Sequence, residues 1–249
     1  MSLASGILYQ EILDTPRNFA ILIDPDKVEV NEVHRLVKNL PSVTTHLLVG
    51  GSTVERGKCE AIVKALKVYT KIPIVLFPGD YTQVTPEAQA ILFLSLVSGE
   101  NPEYLIGQQV KSAKAIKGSK LEVISTAYLL IDGGKETAVQ RVSQTSPMSQ
   151  LDIDKIVSTC LASELAGKKI IYLEAGSGAL FSVKPEIIKA VKKEVSIPII
   201  VGGGLRTESQ IEMCYEAGAN MVVVGTAFEE QMKNMVDVTS RSVTNLANS

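Results

Sequence analysis

Eight short apolar runs, separated by longer amphipathic stretches, are the feature that most limits what this chain can fold into. They cover residues 19–24, 46–50, 74–77, 90–96, 122–131, 170–174, 199–202 and 221–225. Strands this apolar, alternating with helical periodicity, belong in a parallel sheet covered by helices. Eight such strands are the number that closes a (β/α)8 barrel, and 249 residues is an ordinary length for one. The expected fold class is therefore α/β, a TIM barrel formed as one domain over residues 1–249. Helices are expected at 31–40, 53–68, 152–166, 185–195 and 207–217, stopped by Pro41, Gly167 and Gly218 or by the Ile-Pro pairs at 72–73 and 197–198.

Two connections break the alternation. Residues 78–89 carry Pro78, Gly79 and Pro86 and lack helical periodicity, so the barrel is expected to be irregular around its third helix. Residues 132–150 form a long polar connection containing Gly133, Gly134 and Pro147. Both follow strands and so fall on the face where barrel active sites are built, which makes both candidates for a lid.

Composition narrows the function classes. With 45% hydrophobic residues, 21% charged residues and a formal net charge of −2, the chain can bury a core, and it offers no basic stripe for nucleic acid. Cys59, Cys160 and Cys214 are scattered among apolar helix residues, and read as packing residues of a protein in a reducing compartment. With two histidines, His34 and His46, outside any ligand-spaced cluster, no zinc site is expected. No secretory pattern is seen and the strongest apolar stretch, 90–97, is too short to span a bilayer, so a cytoplasmic location is expected.

Chemistry concentrates at the strand ends. Gly176-Ser177-Gly178 follows the sixth strand, Gly202-Gly203-Gly204 the seventh, and Gly225-Thr226 the eighth. Glycine admits positive φ and close backbone approach, so several N–H groups can converge on a phosphate there. One such segment could be a plain tight turn; three at adjacent strand ends indicate a phosphate grip.

Strand parity selects two carboxylates. In the first strand Ala20, Leu22 and Asp24 share one face and Phe19, Ile21 and Ile23 the other; the bulkier set suits the helix layer, leaving Asp24 in the barrel mouth. Asp24 is then either a turn starter in Asp24-Pro25-Asp26-Lys27 or a Mg²⁺ ligand assisted by the hydroxyl of Ser52 or Thr53. In the sixth strand, Tyr172 and Glu174 point inward and Leu173 and Ala175 outward. Glu174 is a candidate general base or hydroxyl-orienting group, or else a rim carboxylate paired with a lysine. Phe93, Leu94, Tyr128 and Leu129 offer apolar surface for a long tail.

Taken together, Ile23–Lys27, Val49–Thr53, Tyr172–Ala179, Val201–Leu205 and Val224–Thr226 resemble the geranylgeranylglyceryl phosphate synthase family, in order and across residues 19–230. The Ala175-Gly176-Ser177-Gly178 form is similar to its larger branch, found in archaea and some bacteria, and departs from the heptaprenylglyceryl phosphate synthases. The resemblance implies a Mg²⁺-dependent prenyltransferase that moves a geranylgeranyl group from its diphosphate to sn-glycerol 1-phosphate. It implies that Asp24 and Ser52 hold Mg²⁺. Glycerol phosphate would be bound by Lys27, Tyr172, Leu173, Glu174, Ala175, Gly176, Ser177, Gly178, Gly203, Gly204, Gly225 and Thr226, with Glu174 catalytic. A lipid donor implies peripheral membrane contact, and a homo-oligomer is expected from the apolar helix faces. The phosphate grip alone also suits a heptaprenyl enzyme, a sugar-phosphate isomerase, or a phosphate-binding protein without activity.

Overall fold

The protein is described by a computed structural model over residues 6–225 and 228. Eight strands, β1 Asn18–Ile23, β2 His46–Val49, β3 Ile74–Leu76, β4 Ala90–Leu96, β5 Glu122–Leu130, β6 Ile170–Glu174, β7 Ile199–Gly202 and β8 Met221–Val224, pair in parallel and in sequence order into a closed barrel. The register sets Ile23 beside Val49, Leu130 beside Glu174 and Glu174 beside Gly202, so the strand ends that carry the chemistry arrive at one level.

The period-two alternation of the strands sorts the core into two layers. Ala20, Leu48, Val75, Leu92, Ile124, Ile170, Ile200 and Val223 fill the barrel interior. Ile21, Ile23, Leu47, Val49, Leu173, Val201 and Val222 pack outward against the helices. Leu129 belongs to this outer layer and is fully buried there, so it is not part of any apolar trough.

The helices are α1 Ile7–Asp14, α2 Val33–Lys38, α3 Lys58–Tyr69, α4 Gln108–Lys117, α5 Ala138–Ser143, α6 Ile153–Leu165, α7 Pro185–Glu194 and α8 Glu208–Glu216. Helix α1, which the sequence periodicity does not announce, buries Leu8 and Ile12 against the interior layer. The buried Glu122, at the start of β5, accepts the Leu8 and Tyr9 N–H groups at 2.9 Å each and so caps α1 from across the chain. Helix α3 starts at Lys58 rather than at 53, because Gly57 takes φ +90 and the residues before it turn along the mouth.

Between β3 and β4 no full helix forms. A single 3-10 turn, Tyr81–Gln83, is capped by Asp80, whose carboxylate accepts the Thr82 N–H at 2.7 Å. Buried Gln83 ties this connection to the loop after β2: Nε2 donates to Gly51 O at 2.8 Å and Oε1 accepts from Gly51 N at 3.2 Å. The connection 132–150 is better ordered than its composition suggests. Thr137 and Gln140 form a reciprocal capping box around the start of α5, and Ile131 bridges to Met148. Among the described residues no helix is long and apolar enough to cross a membrane. All three cysteines are buried, and burial pushes the thiols up to about 12 for Cys59 and Cys160 and about 11 for Cys214, which suits packing and not nucleophilic chemistry.

Candidate active site

The C-terminal ends of the strands enclose a cavity of about 330 Å³. Asp24, Lys27, Ser52 and Thr53 line one side of it, and Glu174, Ser177, Gly178, Gly203, Gly204 and Gly225 the other. Segments spread over some two hundred residues of sequence thus meet at one mouth. Thr226 lies outside the described residues.

Glu174 is the chemical centre. It ends β6 facing inward and is 6% exposed. Burial raises its carboxyl to about 7; the Gly176 N–H and the Tyr172 hydroxyl act in the opposite sense. Oε1 accepts the Gly176 N–H at 2.8 Å, which fixes the carboxylate and holds the first turn of the glycine loop against it. Tyr172 is fully buried two residues earlier on the same face. Its hydroxyl is near enough to Glu174 for each to influence the other's protonation, yet among the described residues no closed hydrogen bond satisfies Oη. A carboxyl poised near neutral pH beside an unsatisfied phenol can take up a proton from a bound hydroxyl. Among the described residues no lysine pairs with Glu174 at the rim: the Gly176 N–H donates to it and the Tyr172 hydroxyl stands beside it.

The glycine segments are shaped by close approach. A Cβ on Gly203, where φ is +80, would stand 2.4 Å from Glu174 Oε1 and 2.5 Å from Gly176 N. Segments 202–204 and 174–176 therefore touch backbone to carboxylate, with no room for a side chain. The connection after β5 closes over the same loop. Gly133 O accepts the Leu180 and Phe181 N–H groups at 2.9 and 3.1 Å, and Arg206 Nη2 donates to Ala179 O at 2.9 Å from the opposite side. Leu173 and Ala175 point into the helix layer and are fully buried, so their side chains do not reach the cavity; they hold the segment in place.

Across the mouth, Asp24 Oδ1 accepts the Asp26 N–H at 3.1 Å and Oδ2 pairs with Lys27 Nζ at 3.4 Å. A Cβ on Gly51 would lie 3.0 Å from Asp24 Oδ1, so the loop carrying Ser52 runs directly against this carboxylate. Among the described residues no group of three or more His, Cys, Asp or Glu gathers to cage a metal. One carboxylate and a neighbouring hydroxyl at the edge of a cavity nevertheless fit Mg²⁺, which keeps several waters and takes much of its shell from substrate phosphates.

Three aromatic residues have a place that strand parity only partly reveals. Phe77 and Tyr128 line the cavity, and Tyr172 lies beneath them. Phe77 stacks on Tyr172 with ring centroids 5.0 Å apart. Inward parity identifies Tyr128 and Tyr172, and Phe77, one residue beyond β3, follows Val75 into the same interior layer. The cavity extends over Val84, Ile91, Phe93 and Leu94 toward Tyr104 and Gln109, on the side where no full helix forms between β3 and β4.

Comparison with known proteins agrees with this geometry. The PcrB family pattern matches residues 12–243. The geranylgeranylglyceryl phosphate synthase of Zunongwangia profunda is 48% identical over 210 residues, covering 84% of this chain and 90% of that protein. That of Flavobacterium johnsoniae is 49% identical over 227 residues, covering 89% and 93%. The crystal structure of (S)-3-O-geranylgeranylglyceryl phosphate synthase from Thermoplasma acidophilum, in complex with its substrate sn-glycerol-1-phosphate, superposes with a TM-score of 0.83 at 32% identity, covering 92% of each chain. In sequence, in fold and in the arrangement of its strand ends, this chain belongs to the PcrB family.

Proposed function

We propose that this protein transfers a geranylgeranyl group from geranylgeranyl diphosphate to the free primary hydroxyl of sn-glycerol 1-phosphate, forming an ether and releasing diphosphate. The observation that carries the reading is Glu174: a buried carboxyl raised to about 7, set between a glycine-rich phosphate grip and an apolar cavity. The relatives are geranylgeranylglyceryl phosphate synthases, and the Thermoplasma acidophilum enzyme binds sn-glycerol-1-phosphate, which supports the same transferred group and acceptor.

The residues divide the work as follows. Backbone N–H groups around Ser177-Gly178, Gly203-Gly204 and Gly225 would hold the glycerol phosphate, with Thr226 completing the last segment. Holding the phosphate there brings a glycerol hydroxyl to Glu174, which orients it and accepts its proton as the ether bond forms. Asp24 and Ser52 would hold Mg²⁺ at the other side of the mouth. When bound, that ion supplies charge neutralisation for a diphosphate leaving group. Lys27, paired with Asp24, adds positive charge to the same mouth. The apolar arm past Ile91 and Phe93 takes the isoprenoid tail, where burial contributes ~0.8 kcal/mol per methylene before ordering of the chain is subtracted. It also excludes water, which would otherwise compete with glycerol phosphate for the allylic carbon. A lipid donor makes contact with a membrane surface peripheral, at the open mouth.

The test is a product assay. Labelled sn-glycerol 1-phosphate is incubated with geranylgeranyl diphosphate, with Mg²⁺ or with excess chelator, and extracted into organic solvent. The expected result is a lipid-soluble phosphate monoester formed with Mg²⁺ and not with chelator. Absence of product with this donor and with longer prenyl diphosphates overturns the reading; product formed equally well in chelator overturns the metal assignment.

A further inference from the structure

Leu48, Val75, Leu92, Ile124, Ile170 and Ile200 pack in the barrel interior, and directly beneath the cavity the packing turns aromatic. There Phe77 and Tyr172 stack with planes 19° apart and centroids 5.0 Å apart. Tyr128 stands edge-on to Tyr172 at 5.4 Å and 66°, and tilted to Phe77 at 5.8 Å. Tyr172 covers one face of the Phe77 ring, so what Phe77 contributes to the cavity wall is its other face and edge. Simple filling of the barrel does not require this arrangement, since aliphatic side chains such as Leu48, Leu92 and Ile200 serve that purpose elsewhere in the interior.

The position of the cluster relative to the proton acceptor gives it a chemical meaning. A Cβ built on Gly202 would lie 2.6 Å from Glu174 Oε2 and 2.7 Å from Tyr172 Oη, so both oxygens crowd the same point. The hydroxyl that surrenders its proton to Glu174 is therefore held within a few ångströms of the aromatic cluster. The carbon it attacks must be closer still to that hydroxyl. In the transfer, the C1–O bond to diphosphate breaks and its electron pair leaves with the diphosphate. The allylic C1 becomes cationic, the glycerol oxygen forms the new C–O bond, and its proton passes to Glu174. Positive charge thus develops beside ring faces whose quadrupole is negative.

Resting on the proposed transfer reaction, we infer that Phe77, backed by Tyr172 and flanked by Tyr128, is a catalytic residue whose ring face stabilises the allylic cation. Phe77 suits this better than its neighbours, because it has no hydroxyl to compete with the glycerol phosphate. Its backbone is also fixed: Phe77 N donates to Val49 O at 2.9 Å, and its carbonyl sits where a Cβ on Gly50 would be, 1.9 Å away. A ring backed on one face and carried on a fixed backbone has little to reorganise as charge appears.

Replacing Phe77 by phenylalanines with one, two and three ring fluorines weakens the quadrupole stepwise with little change in size. The single-turnover rate with saturating sn-glycerol 1-phosphate and geranylgeranyl diphosphate is then measured. The expected result is a log-linear fall with fluorination, roughly tenfold to thirtyfold over the series, with donor KM changing less than threefold. Phe77→Leu should lose a comparable factor, and Phe77→Trp should recover most of it. A rate that stays flat or rises with fluorination overturns the inference and leaves Phe77 as a packing residue. Glu174→Gln separates this from failure of the site itself. If Glu174→Gln is inactive and the fluorinated series is flat, the Phe77 inference alone fails. If Glu174→Gln keeps full turnover, the reading of the site fails with it.

Discussion

Gly203 and Glu174 are in contact across two strand ends: the space where a Gly203 side chain would begin is filled by Glu174 Oε1, 2.4 Å from the position of a Cβ. The phosphate grip and the proton acceptor are thus one construction, and a change to either disturbs both. Gly203→Ala would force the 174–176 backbone or the carboxylate to shift, and would place alanine at φ +80. The expected loss of stability is about 1–3 kcal/mol, with binding of sn-glycerol 1-phosphate weakened at least tenfold. Calorimetric titration and thermal unfolding of the same variant measure the two effects.

Glu174→Gln separates activity from stability. Loss of the proton acceptor should lower kcat by a factor on the order of 10²–10⁴. The folded carboxyl sits near 7 against an ordinary 4.5, so the folded state binds its proton more tightly than the unfolded chain does. That contribution to stability is complete below about pH 4.5 and is lost as pH rises through 7. Above neutrality the ionised carboxylate is a burden of up to roughly 3 kcal/mol, which a neutral amide removes. The variant should therefore melt higher than the unmodified protein at pH 8 and equally at pH 4.5. Thermal unfolding at the two pH values reads the difference.

His46 produces the opposite slope. It faces inward from the start of β2 and shares Nδ1 with Thr45 Oγ1 at 2.8 Å, while its buried Nε2 has no partner among the described residues. Burial lowers its pKa from 6.5 to about 4. Its contribution is present above pH 6.5 and is lost as pH falls through 4. Between pH 4.5 and 6.5 the Glu174 and His46 slopes nearly cancel, so in the unmodified protein these two groups together should add almost no pH dependence there. In a Glu174→Gln background the His46 slope should emerge, with stability falling as the solution is acidified. Denaturant titrations at half-unit pH steps check both curves.

Asp24→Ala tests the other side of the mouth. The catalytic efficiency toward geranylgeranyl diphosphate should fall at least a hundredfold and the Mg²⁺ concentration for half activity should rise, while affinity for sn-glycerol 1-phosphate stays within threefold. Equal losses for both substrates would place Asp24 in loop structure and not at a metal.

The barrel was legible because apolar strands, Ile-Pro pairs and glycine stops recur with the right period, and parity alone sent Asp24, Tyr172 and Glu174 inward. Four things were not. Helix α1 has no strong local signal, since its cap is Glu122, more than a hundred residues away. The start of α3 depends on the φ of Gly57, which composition does not announce. The roles of Phe77 and Leu129 depend on which layer each strand face meets, and an apolar residue in a strand is equally at home in either layer. The raised pKa of Glu174 was likewise invisible, being set by tertiary burial and not by any neighbour in sequence.

The most direct test of the central claim is the titration of Glu174 itself. Carboxyl ¹³C NMR of protein labelled at glutamate, with Glu174 assigned by its absence in Glu174→Gln, follows its ionisation without contributions from substrate phosphates. A midpoint near 7 is the predicted result. A midpoint at the ordinary glutamate value of 4.5 would contradict the account, because a carboxylate fully ionised well below neutrality is not a base tuned to take the proton of a bound hydroxyl.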